Sequence, residues 1–132
     1  MTSRSHSFGR VRVLLVDDHA ALAEATAEFL RFSGLDVRTA LDGKEALALA
    51  KAFRPQLVLC DLRLRDASGL EVVQALETTL DPKQVIFALH TAMTEAEVRS
   101  FESQADVQVI SKPLTESKLK KLLDELHTKT SS

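Results

Sequence analysis

Short apolar runs alternate along this chain with longer segments in which apolar residues recur at helical spacing. Five short runs are predicted as strands, at residues 11–16, 35–40, 57–60, 85–89 and 107–110. Five longer segments are predicted as helices, at residues 20–32, 44–53, 70–79, 94–103 and 115–127. Each strand is followed by one helix, so the pattern predicts five consecutive strand–helix units.

The predicted helices differ in how firmly their apolar residues would hold them to a core. The expected inward faces are Leu22, Phe29 and Leu30 in the first helix, Leu70, Val73 and Leu76 in the third, and Leu119, Leu122, Leu123 and Leu126 in the last. The fourth helix has only Val98 and Phe101 for this purpose, so we expect it to pack loosely. Gly34 stands where a glycine would end the first helix.

Strict alternation of strands and helices indicates an α/β fold with a parallel sheet and right-handed crossovers. We expect a flavodoxin-like (βα)5 sandwich of three layers, with the strand order 2-1-3-4-5. The segments 1–10 and 128–132 are rich in Ser and Thr and lack apolar periodicity, so they are predicted to be flexible. A single domain is predicted at residues 11–127.

Composition narrows the function classes. The chain has 132 residues, 45% of them apolar, and 17 Lys and Arg against 19 Asp and Glu, which gives a net charge of −2. This balance disfavours a nucleic-acid-binding module or a polybasic membrane anchor. Cys60 is the single cysteine, which excludes an internal disulfide. No apolar run is long enough to span a bilayer, and no apolar segment typical of a secretory signal follows the polar N-terminus. We therefore expect a cytoplasmic protein.

Chemically reactive side chains follow four of the predicted strands. Asp17 and Asp18 come after the first strand, Asp61 after the third, Thr91 after the fourth and Lys112 near the end of the fifth. In a parallel sheet of this order, sites form beyond the carboxyl ends of the strands, where the strand order reverses between strands one and three. We expect the three aspartates to meet there, with Thr91 and Lys112 at the border.

Three neighbouring carboxylates repel one another and need a cation, and hard oxygen ligands with room for water favour Mg²⁺. An aspartate can also act as a nucleophile that forms an acyl phosphate. Lys112 would then supply a positive charge to a phosphoryl oxygen, and Thr91 a hydroxyl donor. The constellation predicts a phosphorylatable aspartate with its metal.

Five motifs in this order resemble a bacterial two-component response-regulator receiver domain, over residues 12–126. They are Leu15–Asp18, Cys60–Leu62, Gly69, His90–Ala92 and Ser111–Pro113. The resemblance implies that Asp61 accepts a phosphoryl group from the phosphohistidine of a sensor histidine kinase or a histidine phosphotransfer protein. It also implies a signalling domain that loses the phosphoryl group slowly, rather than an enzyme.

The same resemblance assigns roles to individual residues. Asp18 would bind Mg²⁺ directly, Asp17 more often through water, and Asp61 and the backbone carbonyl of Arg63 would complete the protein ligands. Lys112 would pair with the phosphoryl group, and Thr91 would move toward that group on activation. The bond between Lys112 and Pro113 would be cis. Phosphorylation would switch the face formed by helix four, strand five and helix five.

Some positions depart from the family pattern and leave an alternative open. Val109 stands where Tyr or Phe is common, and the chain has no Tyr or Trp. Arg65 replaces a frequent proline and Leu114 a frequent phenylalanine, while Arg63 and Met93 lie where the family tunes phosphoryl lifetime. The alternative is a pseudo-receiver that docks partners without phosphorylation.

Taken singly, several of these residues could have a structural role only. Asp17 or Asp18 alone would serve as a helix cap, and His19 and His90 are favoured as bystanders beside the site. Cys60 is expected to be a small core residue. The leucine stripe of the last helix is assigned to the core, with a homodimer through its edge as the lesser alternative. A P-loop nucleotidase is excluded because the chain has no Gly-rich GxxxxGK[ST] loop.

Overall fold

The computed structural model describes residues 10–104 and 107–131, in which five strands and five helices alternate strictly. The strands are β1 (Arg12–Val16), β2 (Asp36–Ala40), β3 (Leu57–Cys60), β4 (Ile86–Thr91) and β5 (Gln108–Ser111). The helices are α1 (Ala20–Phe32), α2 (Gly43–Phe53), α3 (Gly69–Thr79), α4 (Glu95–Gln104) and α5 (Glu116–Thr130). The predicted order of elements is confirmed.

All neighbouring strands run parallel, in the order β2-β1-β3-β4-β5. In register, Val16 lies opposite Ala40 on one side and Cys60 on the other, so β1, β2 and β3 end at the same level. Likewise, Thr91 lies opposite Ser111 in β4 and β5. This alignment brings the residues that follow each strand to one edge of the sheet, as the sequence predicts.

The sheet has a hydrophobic core on each face, because successive side chains of a buried strand point to opposite sides. Val13 and Leu15 belong to the core under α1 and α5, while Leu14 and Val16 belong to the core under α2 and α3. Among the described side chains of α4 none is fully buried, and Val98 and Phe101 pack only partly against the second core. The predicted three-layer sandwich and the loose fourth helix are both confirmed.

The inward faces of α1 and α3 differ in part from the prediction. Leu22 is 53% exposed, and the buried stripe of α1 is instead Ala23, Ala27 and Leu30. The two alanines lie three and seven positions before Leu30, so they share its face, and their small size lets the helix approach the sheet closely. In α3, Val72 is buried and Leu70 only partly buried.

The end of the last helix also differs from the prediction. Helix α5 continues to Thr130, past the predicted end at residue 127, so most of the segment predicted as a flexible tail is helical. There Lys129 Nζ donates to the Val85 carbonyl at 2.9 Å, which ties the added turn to the start of β4. The predicted flexible N-terminal segment lies outside the described residues, apart from Arg10.

One smaller feature agrees with expectation. Gly34 has a φ of 90°, a left-handed conformation that ends α1 and suits glycine. No helix in the described part of the chain has the length and apolar character that crossing a bilayer requires.

Candidate functional site

The acidic site begins with backbone contacts that fix Asp17 and Asp61 at the ends of their strands. The Asp17 amide donates to the Ala40 carbonyl at 3.0 Å, and the Asp61 amide donates to the Val16 carbonyl at 2.8 Å. Both residues thereby extend the parallel ladder by one position. Their carboxylates are brought together at the carboxyl ends of β1 and β3, as the sequence predicts.

Lys112 joins the two carboxylates. Its Nζ donates to Asp17 Oδ2 at 2.9 Å and to Asp61 Oδ2 at 3.2 Å. The Lys112 amide also donates to the Thr91 carbonyl at 2.9 Å, which sets the lysine directly beyond β4 and β5. The Lys112–Pro113 peptide bond is cis, as the sequence predicts.

The ionisation of the site follows from these contacts. Burial by itself raises the pKa of the Asp17 carboxyl, but the His19 amide and the Lys112 ammonium outweigh it and hold that pKa below its ordinary value. Burial likewise lowers the pKa of Lys112, and the two carboxylates reverse this, so its pKa lies above the ordinary value. At neutral pH the lysine is therefore charged between two acids.

Asp18 completes an acidic cluster that suits a divalent cation. Ligand atoms of Asp17, Asp18, His19 and Asp61 all lie within 4.8 Å of one another. The Oδ1 atom of Asp18 is buried and accepts no hydrogen bond from the described residues, because His19 Nδ1, at 3.2 Å, lacks the angle of a hydrogen bond; this is costly for a carboxylate oxygen unless a cation binds it. Three carboxylates against one ammonium leave a surplus of negative charge, and hard oxygens are the ligands that Mg²⁺ prefers. The residues therefore fit a magnesium ion.

His19 is closer to the cluster than the sequence suggests. Its Nδ1 lies 3.2 Å from Asp18 Oδ1 and 3.5 Å from Asp17 Oδ1, and its side chain is 68% exposed. The signal in the sequence is adjacency, because His19 directly follows the acidic doublet and forms the start of α1. As the N-cap residue of α1, His19 thus presents Nδ1 to both carboxylates.

Thr91 and Arg63 lie near the acids, on neighbouring segments. Thr91 is the last residue of β4 and is partly buried, and its hydroxyl makes no hydrogen bond to any described residue. Arg63 is exposed in the loop after β3, where it forms an isolated antiparallel bridge with Ser68. The metal-binding role of the Arg63 carbonyl stays a prediction.

Gly69 fixes the start of α3 against the phosphoacceptor candidate. A Cβ atom at Gly69 would overlap the Asp61 carbonyl oxygen and lie 3.0 Å from Leu62 Cα. The Gly69 amide also donates to the Leu62 carbonyl at 2.6 Å. Only glycine therefore allows α3 to begin this close to Asp61.

Two other polar residues next to the site are buried. Burial, followed by the charge of Lys112, lowers the pKa of His90 to about 4, and its Nε2 has no partner among the described residues. Burial raises the pKa of the Cys60 thiol to about 12, with the charges of Asp61 and Asp17 adding to the effect. Cys60 is fully buried, which confirms its assignment to the core.

The family model and relatives that match this chain indicate the same family, the response regulators. A family model described as the response regulator receiver domain matches residues 13–124. The DNA-binding response regulator MtrA of Mycobacterium leprae is 36% identical over 110 residues, which are 83% of this chain and 48% of MtrA. The probable transcriptional regulatory protein TcrX of Mycobacterium tuberculosis is 44% identical over 68 residues, or 52% of this chain and 29% of TcrX. The chain thus spans less than half the length of these relatives.

Solved structures agree on the fold. A CheY-like response regulator receiver domain protein from Methanospirillum hungatei superposes with a TM-score of 0.77 at 28% identity, covering 92% of this chain and 97% of that one. The chemotaxis protein CheY4 of Vibrio cholerae gives a TM-score of 0.75 at 27% identity, covering 89% of this chain and 99% of that one. In both cases nearly the whole of the other chain is matched.

Proposed function

The chain belongs to the response regulator receiver domain family of two-component systems, and on that premise we propose that Asp61 accepts a phosphoryl group from a phosphohistidine. The observation that carries the proposal is the position of Lys112 Nζ, within hydrogen-bond distance of both Asp17 and Asp61. A surface lysine would not be held between two mostly buried acids. A cation that reaches the nucleophile is what transfer of an anionic group requires.

In the proposed reaction, a carboxylate oxygen of Asp61 attacks phosphorus, forming a P–O bond while the P–N bond to the donor histidine breaks. The electron pair of the P–N bond returns to the imidazole of the donor. Lys112 offsets the charge of the phosphoryl oxygens from its place beside Asp61. In the slow hydrolysis that follows, water attacks phosphorus and forms a new P–O bond while the P–O bond to Asp61 breaks, which releases inorganic phosphate and returns Asp61 to a carboxylate.

Mg²⁺ is the proposed cofactor. Asp17, Asp18, Asp61 and the backbone carbonyl of Arg63 would hold it, and the unpartnered Oδ1 of Asp18 supports this assignment. When bound, the ion supplies positive charge to the phosphoryl oxygens and orients them.

The proposed consequence of phosphorylation is a change on the face formed by α4, β5 and α5. An acyl phosphate carries about two negative charges in place of the single charge of the Asp61 carboxylate, so phosphorylation adds about one negative charge next to Lys112 and Thr91. Thr91 has a hydroxyl without a partner in the described structure, so it is free to donate to the new oxygens. Among the described apolar side chains of α4, Val98 and Phe101 pack only partly against the core, and Glu102 adds one hydrogen bond, accepted from the Val109 amide at 2.7 Å. This weak anchoring supports movement of the helix.

The proposed partners are a sensor histidine kinase or a histidine phosphotransfer protein. The domain would act as a signalling acceptor in the cytoplasm, not as an enzyme on a separate substrate. It would not itself bind nucleic acid or membrane, in keeping with its near-balanced charge. Homodimerisation through the edge of α5 stays a lesser hypothesis.

The test is Mg²⁺-dependent phosphorylation by a small acyl phosphate donor, read by intact mass spectrometry. Wild-type protein should gain one phosphoryl group, and Asp61→Asn should gain none. Asp124→Asn is the matched control, because Asp124 is an exposed aspartate of α5 and should leave the gain unchanged. Equal phosphorylation of Asp61→Asn and wild type would contradict the proposal.

A second candidate function is the pseudo-receiver that binds partners without phosphorylation. Val109 favours it, since it is a buried aliphatic residue of β5 where the family commonly has an aromatic ring. Beryllofluoride with Mg²⁺ separates the two functions. Amide shifts at Thr91 and along α4 support the phosphorylation switch, and an unchanged spectrum supports the docking module.

A further inference from the structure

The segment between β3 and α3, residues 61–68, forms a closed loop that we call the acceptor loop. Its two sides are joined by the bridge between Arg63 and Ser68, and the Leu64 amide donates to the Ala67 carbonyl at 3.1 Å. Near the tip of this loop stands Asp66, an exposed residue five positions past Asp61. The acceptor loop carries both the phosphoacceptor and the predicted carbonyl ligand of Arg63.

Asp66 connects the acceptor loop to a different helix. Its Oδ1 accepts from the Gly43 amide at 2.9 Å and its Oδ2 accepts from the Lys44 amide at 3.1 Å, at the start of α2. These hydrogen bonds hold the pKa of Asp66 below its ordinary value, and the one from Gly43 has the largest effect. Both oxygens of one exposed carboxylate are therefore used to reach an element more than twenty residues away.

Helix α2 has its own cap in addition to Asp66. Asp42 Oδ1 accepts from the Glu45 amide at 2.8 Å, which is the usual N-cap hydrogen bond. Asp42 does not reach the first two amides of the helix, those of Gly43 and Lys44, and these donate to Asp66 instead. A Cβ atom at Gly43 would come within 2.9 Å of Val72 Cγ2 and 3.3 Å of Asp66 Oδ1, so this end of α2 is closely packed against the acceptor loop and α3.

We propose that Asp66 is a positioning residue for phosphoryl acceptance, which fixes the acceptor loop by clamping it to the first two amides of α2. The proposal rests on the function proposed above. Freed from α2, the acceptor loop would spend less time in the arrangement that presents Asp61 and the Arg63 carbonyl together. The apparent dissociation constant for Mg²⁺ rises in proportion as that fraction falls.

The experiment compares Asp66→Ala, Asp66→Asn and Asp42→Ala with wild type. Asp42→Ala is the matched control, because it removes a carboxylate cap from the same helix end without touching the acceptor loop. The readouts are the Mg²⁺ dissociation constant by calorimetric titration and hydrogen exchange at the amides of Leu64 and Gly69, both of which are hydrogen-bonded within or beside the loop.

For Asp66→Ala we expect a dissociation constant raised by about 3- to 10-fold and faster exchange at both amides. Asp66→Asn keeps one acceptor oxygen and should fall between this variant and wild type. Asp42→Ala should lower the melting temperature while leaving Mg²⁺ affinity and loop exchange near the wild-type values.

Two results would overturn the positioning role. One is an unchanged Mg²⁺ dissociation constant in Asp66→Ala, whatever the exchange rates. The other is an equal loss of affinity in Asp42→Ala, which would mean that α2 stability alone is responsible. Failure of the proposed function is recognised separately, since wild-type protein would then bind no Mg²⁺ and take no phosphoryl group, while loop exchange would still report whether Asp66 clamps the loop.

Discussion

Lys112 Nζ lies 3.2 Å from Asp61 Oδ2, although 51 positions separate the two residues in the chain. Lys112 follows β5 and Asp61 follows β3, so the lysine side chain reaches across the end of β4. Asp17 completes the contact at 2.9 Å. The ammonium holds the acids together, and it also places a positive charge where a divalent cation would bind.

Lys112→Met should therefore lower stability and raise metal affinity at the same time. Loss of the charge-assisted hydrogen bonds leaves two mostly buried carboxylates facing each other, which should cost about 1–3 kcal/mol of unfolding free energy without metal. Mg²⁺ should bind about tenfold more tightly, because the nearby positive charge is gone. Urea denaturation followed by far-UV circular dichroism is suitable, since the chain has no Trp or Tyr.

Lys120→Met provides the control for Lys112→Met. Lys120 is 77% exposed and pairs with Asp124 across one turn of α5, so its removal should change stability by less than about 0.5 kcal/mol. Weaker Mg²⁺ binding in Lys112→Met would contradict the view that lysine and metal compete for the acids.

Asp18→Asn should stabilise the metal-free protein and abolish its response to Mg²⁺. The Asp18 Oδ1 atom is buried without a hydrogen-bond partner among the described residues and lies beside two further carboxylates, so neutralising it should add about 0.5–1 kcal/mol. Wild type should gain about 1.4 kcal/mol when Mg²⁺ stands at ten times its dissociation constant. The measurement is the unfolding free energy with and without Mg²⁺.

Asp36→Asn is the comparison for Asp18→Asn, because Asp36 lies at the opposite end of the sheet, at the start of β2. It should keep the full Mg²⁺ response. A response retained in Asp18→Asn would remove Asp18 from the predicted metal ligands.

The sheet and the acidic site were predictable because they depend on local patterns. A buried parallel strand has a continuous apolar run, and the alternation of strands and helices leaves few topologies. Once the strand order is set, the residues after β1, β3 and β5 must lie at one edge. Asp17, Asp61 and Lys112 could therefore be brought together without coordinates.

The remaining features depend on packing distances that a pattern does not contain. Leu22 and Ala23 are adjacent, and the choice of which one faces the sheet depends on how closely α1 approaches β1. The contact between Asp66 and Gly43 joins a loop to a helix start, and no periodicity links these positions. Adjacency to Asp17 and Asp18 places His19 beside the acids, but the 3.2 Å distance from its Nδ1 to Asp18 Oδ1 depends on its side-chain conformation, which the sequence does not contain.

His90 should make the folded protein sensitive to mild acid. Its pKa is lowered from 6.5 to about 4 in the folded state, chiefly by burial and then by Lys112 and Lys118, against the opposing effect of Asp17 and Asp61. The unfolded chain therefore takes up a proton before the folded one, and stability present above pH 6.5 is lost progressively as the pH falls toward 4. When the pH is lowered from about 8 to about 5, the titration of His90 should reduce the unfolding free energy by about 2 kcal/mol.

Replacing the titrating ring tests that contribution. In His90→Leu the difference in unfolding free energy between the two pH values should shrink by about 2 kcal/mol. His127→Leu removes an exposed histidine of α5 and should leave the difference as in wild type. An unchanged difference in His90→Leu would mean that other groups cause the acid sensitivity.

Gly69→Ala should damage both stability and phosphoryl acceptance, because the start of α3 leaves no space for a side chain beside Asp61. The added methyl group would overlap the Asp61 carbonyl oxygen, and relief requires movement of backbone rather than of a side chain. We expect the unfolding free energy to fall by about 3 kcal/mol or more, together with slower phosphorylation of Asp61.

Gly34→Ala is the matched control: its Cβ would meet nothing within 4 Å, so only its left-handed backbone is strained, at about 1 kcal/mol. Denaturation curves and phosphorylation rates of the two variants separate steric overlap at the site from backbone strain elsewhere. Equal losses of stability in the two variants, with normal phosphorylation in both, would show that α3 can shift away from Asp61 without consequence.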